Sequence, residues 1–297
     1  MAFLNEAMGT ERKTLVLAIA ELREKYSLKS LLKYANLAKS TYYDVLKKSS
    51  KEDKYKELRI LIRNICNKNH GVYGYRRVTI KLHKQGIKAN HKVVMKLMKE
   101  ENLTCKVRAK KYKSYRGQEG KIAKNILNRN FEALKPNEKW ATDVTEFALY
   151  NEKVYLSPII DLYNREIISY KISKKPVLKQ VLDMVKEATR KIKETKGIIL
   201  HSDQGWQYQN KQYQKLLKEK GIIQSMSRKG NCLDNAVIEN FFGVLKTELF
   251  YLKKFKSVED FIQQLKSYIR FYNTKRIKIK LNGLSPVEYR TKSQLMA

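Results

Sequence analysis

The period of the apolar positions changes near the middle of this chain. Before about residue 104 they recur every three to four residues, the spacing of one helix face. After Pro136 short alternating or continuous apolar runs take over, bounded by Asn and Gly, with helical stretches between them. The fold class expected from this pattern is α+β and multi-domain. An N-terminal helical region precedes a mixed five-stranded sheet with flanking helices.

In the helical half, residues 11–24 carry an apolar stripe. SLKSLLKYANLAKSTYYDVLKK (27–48) reads as two helices with a turn near Asn36–Ala38, the second opening on Ser40 as N-cap. YGYRRVTIKLHKQGIKANHKVVMKLMKEENL repeats the theme. A helix near Arg76–His83 stops at Gln85–Gly86, and Asn90 caps a second helix running to about Glu101. Each pair fits a helix-turn-helix as well as a plain helical hairpin. The second places Arg76, Arg77, His91 and Lys92 at one end. The expected domains are a helix-turn-helix-like segment at 1–50 and a second, DNA-binding one at 51–103. A basic linker at 104–135 and a core with a helical extension at 136–297 follow.

In the second half KWATDVTEFALY, KVYLSPIIDLY, EIISYKIS, GIILHSD and GIIQSM read as strands, with turns near Asn151 and Asn164. LKQVLDMVKEATRKIK, QNKQYQKLLKEK, NAVIENFFGVLKTELF and SVEDFIQQLKSYIRFYN carry helical periods.

Charge narrows the partner. The 297 residues carry 63 Lys and Arg against 29 Asp and Glu, a net +34, with 42% apolar residues. Such a surface attracts a polyanion, and counterion release makes nucleic acid the natural one. Between Thr104 and Asn130 nine basic residues face one acid, which suits a linker that also tracks phosphates. No apolar run approaches the ~20 residues that span a bilayer, and no secretory h-region opens the chain. A cytoplasmic, nucleoid-associated location without a membrane partner is expected. Cys66, Cys105 and Cys232 are scattered and form no CxxC, and His70, His83 and His91 are poorly spaced against them. Neither a disulfide framework nor a zinc site is expected.

The candidate chemistry lies in WATDVTEF, HSDQGWQY and LDNAVIENFFGVLK. Asp143 sits within a strand, Asp203 at a strand end and Glu239 on a helix, with thirty-five residues between the last two. A carboxylate in a buried strand is costly unless it is paired or holds a metal. At 100° per residue, with Glu239 at zero, Asn235 falls near about −40°, Lys246 near about −20° and Gly243 near about +40°. Val237, Ile238, Phe241, Phe242, Val244, Leu245 and Leu249 fill the opposite arc, with Glu248 among them. Glu239 and Lys246 thus share a face outside the packed one, and Gly243 leaves room for a bulky ligand. Three carboxylates suit two magnesium ions, with manganese as a replacement, because Mg²⁺ takes oxygen ligands and keeps several waters. His201, Asp161 and Asp234 read as packed, turn or cap residues.

These motifs, together with SRKGNCLDNAVIENFF and YNTKRIKIKLNGLSPVEY, resemble the DDE transposases of bacterial insertion-sequence family three, OrfB type, over about residues 54–292. The resemblance implies a ribonuclease-H-like, retroviral-integrase-like core. Asp143, Asp203 and Glu239 then serve as catalytic acids and metal ligands, and Lys246 contacts terminal DNA. It places Tyr272, Asn273 and Arg276 near DNA; Arg228 and Lys229 join Arg76 and Arg77 as candidate DNA contacts. It further implies 3′-end cleavage and strand transfer on double-stranded element ends and target DNA by a homo-oligomer. In this family an upstream frame is often fused or partnered. Two alternatives stand beside it: a DNA-binding regulator without catalytic activity, and a nuclease acting on RNA–DNA hybrids.

Overall fold

A computed structural model describes residues 12–49, 53–105, 122–228 and 231–295. The chain divides into two compact units, Met1–Asn67 and Lys68–Ala297.

The first unit contains α1 (Arg12–Leu22), α2 (Leu28–Tyr34), α3 (Lys39–Ser49) and most of α4 (Lys56–Lys68). Leu15, Val16, Ile19, Leu31 and Tyr42 bury together between the first three helices. Ser27 caps α2 by accepting the Ser30 N–H at 3.2 Å. Asn36 takes the left-handed turn conformation, φ 48°, that an Asx side chain tolerates. The expected cap at Ser40 is not made. The helix already begins at Lys39, and the Ala38 carbonyl accepts the Tyr42 N–H, so Ser40 lies inside the first turn.

In the second unit, α5 (Tyr75–Lys84) and α6 (His91–Glu100) pair as expected. Gly86 has φ 79°, and Asn90 accepts the Lys92 N–H at 2.8 Å. The rings of Tyr75 and His91 stack at 6.3 Å, so the two helix starts are neighbours.

The sheet comprises β1 (Lys139–Thr142), β2 (Thr145–Leu149), β3 (Glu152–Asp161), β4 (Ile167–Ser173), β5 (Ile199–Ser202) and β6 (Ile223–Met226). It has six strands rather than five, because the first expected strand is broken at Asp143–Val144. Both pieces pair antiparallel with β3 in one continuous register: Thr142 opposite Ile159, Thr145 opposite Leu156. The gap therefore falls opposite Ser157 and Pro158. Proline has no N–H to give the ladder, and the Asp143 carboxylate instead accepts the Val144 N–H at 2.7 Å. β4 lines the far edge of β3, while β5 and β6 run parallel beyond β1. Tyr150 and Asn151, both at positive φ, close the β2–β3 hairpin with the twist such two-residue turns favour.

Helices cover both faces. Trp140, Ile159 and Leu200 pack with Val181, Met184 and Val185 of α7 (Leu178–Arg190), and with Tyr213 and Leu217 of α9 (Lys211–Glu219). Ala141, Phe147, Leu156 and Ile160 pack with α10 (Ala236–Leu245) and α11 (Val258–Thr274). A short α8 (Trp206–Gln209) follows β5, and α12 (Pro286–Leu295) ends the described chain. Residues 106–121 of the expected linker lie outside the described residues. Its last part is not a free linker: Ile126 and Leu127 donate N–H groups to the Ser225 hydroxyl at 3.0 and 3.1 Å, and Leu127 is buried.

The expected single helix over 235–250 changes pitch. After Leu245 a π-turn runs from Lys246 to Phe250, closed by the Tyr251 N–H on the Lys246 carbonyl. It delivers Glu248 to a buried junction. Arg276 donates to both of its oxygens at 2.8 and 2.6 Å, and the Tyr268 hydroxyl donates at 2.7 Å. Arg77 lies 3.7 Å away. Burial opposes the Arg276 charge, but Glu248 outweighs it and holds the guanidinium above its ordinary pKa. Removing one partner of such a pair strands the other in the core. Glu248→Ala is expected to cost about 3–5 kcal/mol of stability, read by urea denaturation. A loss below ~1 kcal/mol would show the pair to be solvated.

Candidate active site

Three elements bring the expected acids to one end of the sheet. Asp143 occupies the β1–β2 break, Asp203 directly follows β5, and Glu239 lies in the first turn of α10. β1 and β5 are parallel neighbours, with Ala141 opposite His201, so Asp143 and Asp203 leave adjacent strands at the same end.

Burial and mutual repulsion set their electrostatics. Burial, then the charges of Asp203 and Glu239, push the Asp143 carboxyl well above the ordinary range, against the Val144 N–H and Lys246. Burial also raises Asp203, against a hydrogen bond from the Gly205 N–H at 2.9 Å. Burial and then Asp203 raise Glu239. Lys246 reaches this group from the π-turn, its Nζ 5.3 Å from the Phe147 ring centroid. Its charge acts on Asp143 and Glu146. Gly243 opens onto free space, as its expected role requires.

The donor set fits a hard divalent cation. All three groups are carboxylates, each is at least partly desolvated, and the charge of Lys246 bears on Asp143. Among the described residues no three His, Cys, Asp or Glu side chains close around a single point. A two-ion centre needs no such cage, since each ion draws one or two carboxylates and completes its shell with water and phosphate oxygens.

Gly205 works by space rather than by backbone freedom. Its φ is −59°, which any residue adopts, but an added Cβ would stand 3.0 Å from the Asp203 Oδ1 and 3.1 Å from the Gln207 Oε1.

A second carboxylate fixes the root of α10. Asp234 is buried and accepts from the backbone and guanidinium of Arg228 at 2.9–3.0 Å, from Arg129 at 2.9 Å and from Asn125 at 2.9 Å. The Arg228 guanidinium, ahead of the opposing cost of burial, holds its carboxyl far below the ordinary range. The cap role expected of Asp234 understates this clamp. Arg129 and Asn125 lie more than a hundred residues away in sequence, and nothing local in the chain announces them.

The other expected residues divide by exposure. Arg76 is exposed on α5. Arg77 is turned inward, over the Tyr73 ring at 5.5 Å and toward Glu248. Arg228 is exposed, yet its guanidinium is engaged by Asp234. Lys229 lies outside the described residues. Arg276 is 2% exposed and bound to Glu248, so it cannot reach DNA as expected; it is a core ion-pair partner. Glu248, set aside at the sequence level, is indeed taken up by that pair. His201 is fully buried, with Nδ1 on the Ser225 hydroxyl at 2.9 Å, and burial pushes its pKa down to about 4. Asp161 accepts the Asn137 and Tyr163 N–H groups, the turn role expected of it. Tyr208, buried behind Asp143 and Asp203, feels both charges and was not singled out by sequence, although it closes the HSDQGWQY motif.

Three family models match the chain: an HTH-like domain over residues 52–111, and integrase core domains over residues 133–232 and 239–294. The InsK protein for insertion sequence element IS150 of Escherichia coli strain K12 is 50% identical over 275 residues, covering 93% of this chain and 97% of that protein. The transposase for insertion sequence element IS904 of Lactococcus lactis is 36% identical over 230 residues, covering 77% of this chain and 91% of its own length. The HTLV-2 integrase catalytic core in complex with magnesium aligns with 53% of this chain and 98% of its own at 16% identity, with a TM-score of 0.43.

The packing and the repulsion generate two predictions. Gly205→Ala should lower catalytic turnover at least about tenfold through displacement of Asp203, while the melting temperature stays within ~2 °C. Unchanged turnover would show that the carboxylate has room to move. Asp143→Asn removes a desolvated, repelled charge and should raise the melting temperature of the chelator-treated protein. A lower melting temperature would mean that the carboxylate is satisfied without a cation.

Proposed function

This chain belongs to the DDE transposases of bacterial insertion-sequence family three, and on that premise we propose that it cleaves the 3′ ends of its element and joins them to target DNA in a magnesium-dependent reaction. It is a polynucleotidyl transferase with a helix-turn-helix-like region ahead of an integrase core. The observation that carries the finer reading is the convergence of Asp143, Asp203 and Glu239, three carboxylates with raised pKa values and one nearby lysine.

Asp143, Asp203 and Glu239 would hold two magnesium ions. Magnesium, when bound, activates the attacking water or 3′-hydroxyl and stabilises charge on the leaving oxygen. The chain's own residues supply position. The β1–β2 break frees Asp143 from the strand ladder, and the Asp203–Gly205 hydrogen bond fixes the second carboxylate. The Asp234 clamp holds the root of the helix that carries Glu239. Lys246 adds a cation beside the acids, where it would neutralise a phosphate of the terminal DNA. Phosphoryl transfer depends on such positioning and charge stabilisation more than on covalent catalysis. Arg76, His91 and Lys92, exposed at the paired helix starts, are available to duplex DNA, and an assembly of several chains on paired element ends fits the reaction.

Glu239→Gln removes one ligand while keeping the side-chain volume. Donor cleavage and strand transfer in Mg²⁺ should fall at least ~100-fold, about 2.7 kcal/mol of transition-state stabilisation. Binding of element-end duplex should persist. Full activity in the variant would refute the assignment, and binding without cleavage by the parent protein would instead indicate a regulator of transposition.

A further inference from the structure

A second basic cluster lies away from the acids, around Tyr272 near the end of α11. Lys278 Nζ stands 4.7 Å from the Tyr272 ring centroid and Arg276 Cζ 5.7 Å from it. Arg165, in the β3–β4 turn, is within electrostatic reach of Tyr272 and Lys278. That turn follows Asp161, which pairs with Trp140 at the opposite end of β1 from Asp143. At ~3.3 Å per residue the two ends are roughly 10 Å apart along the strand.

The cluster has more donors than acceptors. Arg77, Arg165, Arg276 and Lys278 converge on two carboxylates. Glu248 is already engaged by Arg276, Tyr268 and Arg77, and Asp161 by two backbone N–H groups. Arg165 donates one terminal nitrogen to the Phe131 carbonyl at 3.3 Å, while its other terminal nitrogen is buried without a partner. Lys278 Nζ meets the Tyr272 face and has no acceptor among the described residues. A buried donor without a partner is rare in folded proteins and points to a missing ligand or water. Burial and then the charges of Arg276, Arg165 and Arg77 push the Lys278 ammonium down to about 7. The arrangement costs stability that a bound anion would return.

We propose that Lys278, half-exposed and with the Arg165 charge behind it, is a phosphate-binding site that takes a backbone phosphate of duplex DNA, separate from the carboxylate centre. Its position relates it to the basic helix starts. The Tyr73 hydroxyl donates to the Lys275 carbonyl and accepts the Ile277 N–H, both at 3.1 Å, which fixes the residue before Lys278 beside the start of α5. Arg76, His91 and Lys92 are exposed there, so a duplex on that surface has a further phosphate contact within the same unit. The site rests on the reading of this protein as DNA-acting for the source of its phosphate, but not on catalysis.

The test is Lys278→Met in the full chain, which keeps the aliphatic packing on Tyr272 and removes the charge. Its melting temperature should equal or exceed that of the parent, since a repelled ammonium is lost. Its affinity for element-end duplex should nevertheless fall, with the slope of log K against log salt less negative by about 0.9, the loss of one phosphate contact. Arg165→Gln, with its fold verified by circular dichroism, should weaken the slope in the same direction. Inorganic phosphate should raise the melting temperature of the parent more than that of Lys278→Met. An unchanged DNA slope in Lys278→Met overturns the proposal. If phosphate still discriminates parent from variant while the slope does not, the site takes a free anion and the nucleic-acid assignment falls. Glu239→Gln separates the two readings: it should lose cleavage and keep the parental salt slope.

Discussion

Three carboxylates that repel one another and are partly removed from water must nevertheless be held together, and much of the second unit serves that constraint. Sheet and helix geometry supplies the force. Asp143 and Asp203 leave adjacent parallel strands at the same end, and Glu239 arrives on a helix whose root is tied down by Asp234. The cost of the arrangement appears in the raised pKa values of all three acids. Burial and mutual repulsion leave the three acids frustrated, a strain that bound divalent cations would relieve.

Opposite charges are handled differently elsewhere in the same unit. Glu248 and Arg276 neutralise each other in the core, and this pair joins the π-turn after α10 to the end of α11. Asp234 and Arg228 do the same at the other end of α10. The helix carrying Glu239 is therefore bracketed by two ion pairs, one buried and one at the surface. Unpaired acid chemistry sits between paired acids whose partners are structural. Conversely, the excess cations around Lys278 remain unmatched, and the asymmetry is readable as an anion site.

Much of this was legible in the sequence. Helical and strand periods located nearly every element of the integrase core, because each buries one apolar face. The angular placement of Glu239 was readable over the α-helical span for the same reason, whereas Lys246 already opens the π-turn. What escaped was non-local or depended on pitch. The break at Asp143 requires knowing that Pro158 stands opposite, fifteen residues on across a hairpin. The π-turn after Leu245 cannot be read from a 100° wheel. Arg276 was expected near DNA through the family resemblance, and an arginine carries no mark of burial until its partner Glu248 is placed. Ser40 looked like a cap because cap propensity does not fix which residue the first turn selects.

The central claim is that Asp143, Asp203 and Glu239 jointly hold the divalent cations. It is tested most directly by counting them. Manganese titrated into the protein bound to element-end duplex can be followed by the electron paramagnetic resonance signal of the free ion. The account predicts two tightly bound ions for the parent protein, and loss of at least one in each of Asp143→Asn and Asp203→Asn with duplex still bound. Equal manganese occupancy in the parent and both variants would contradict it.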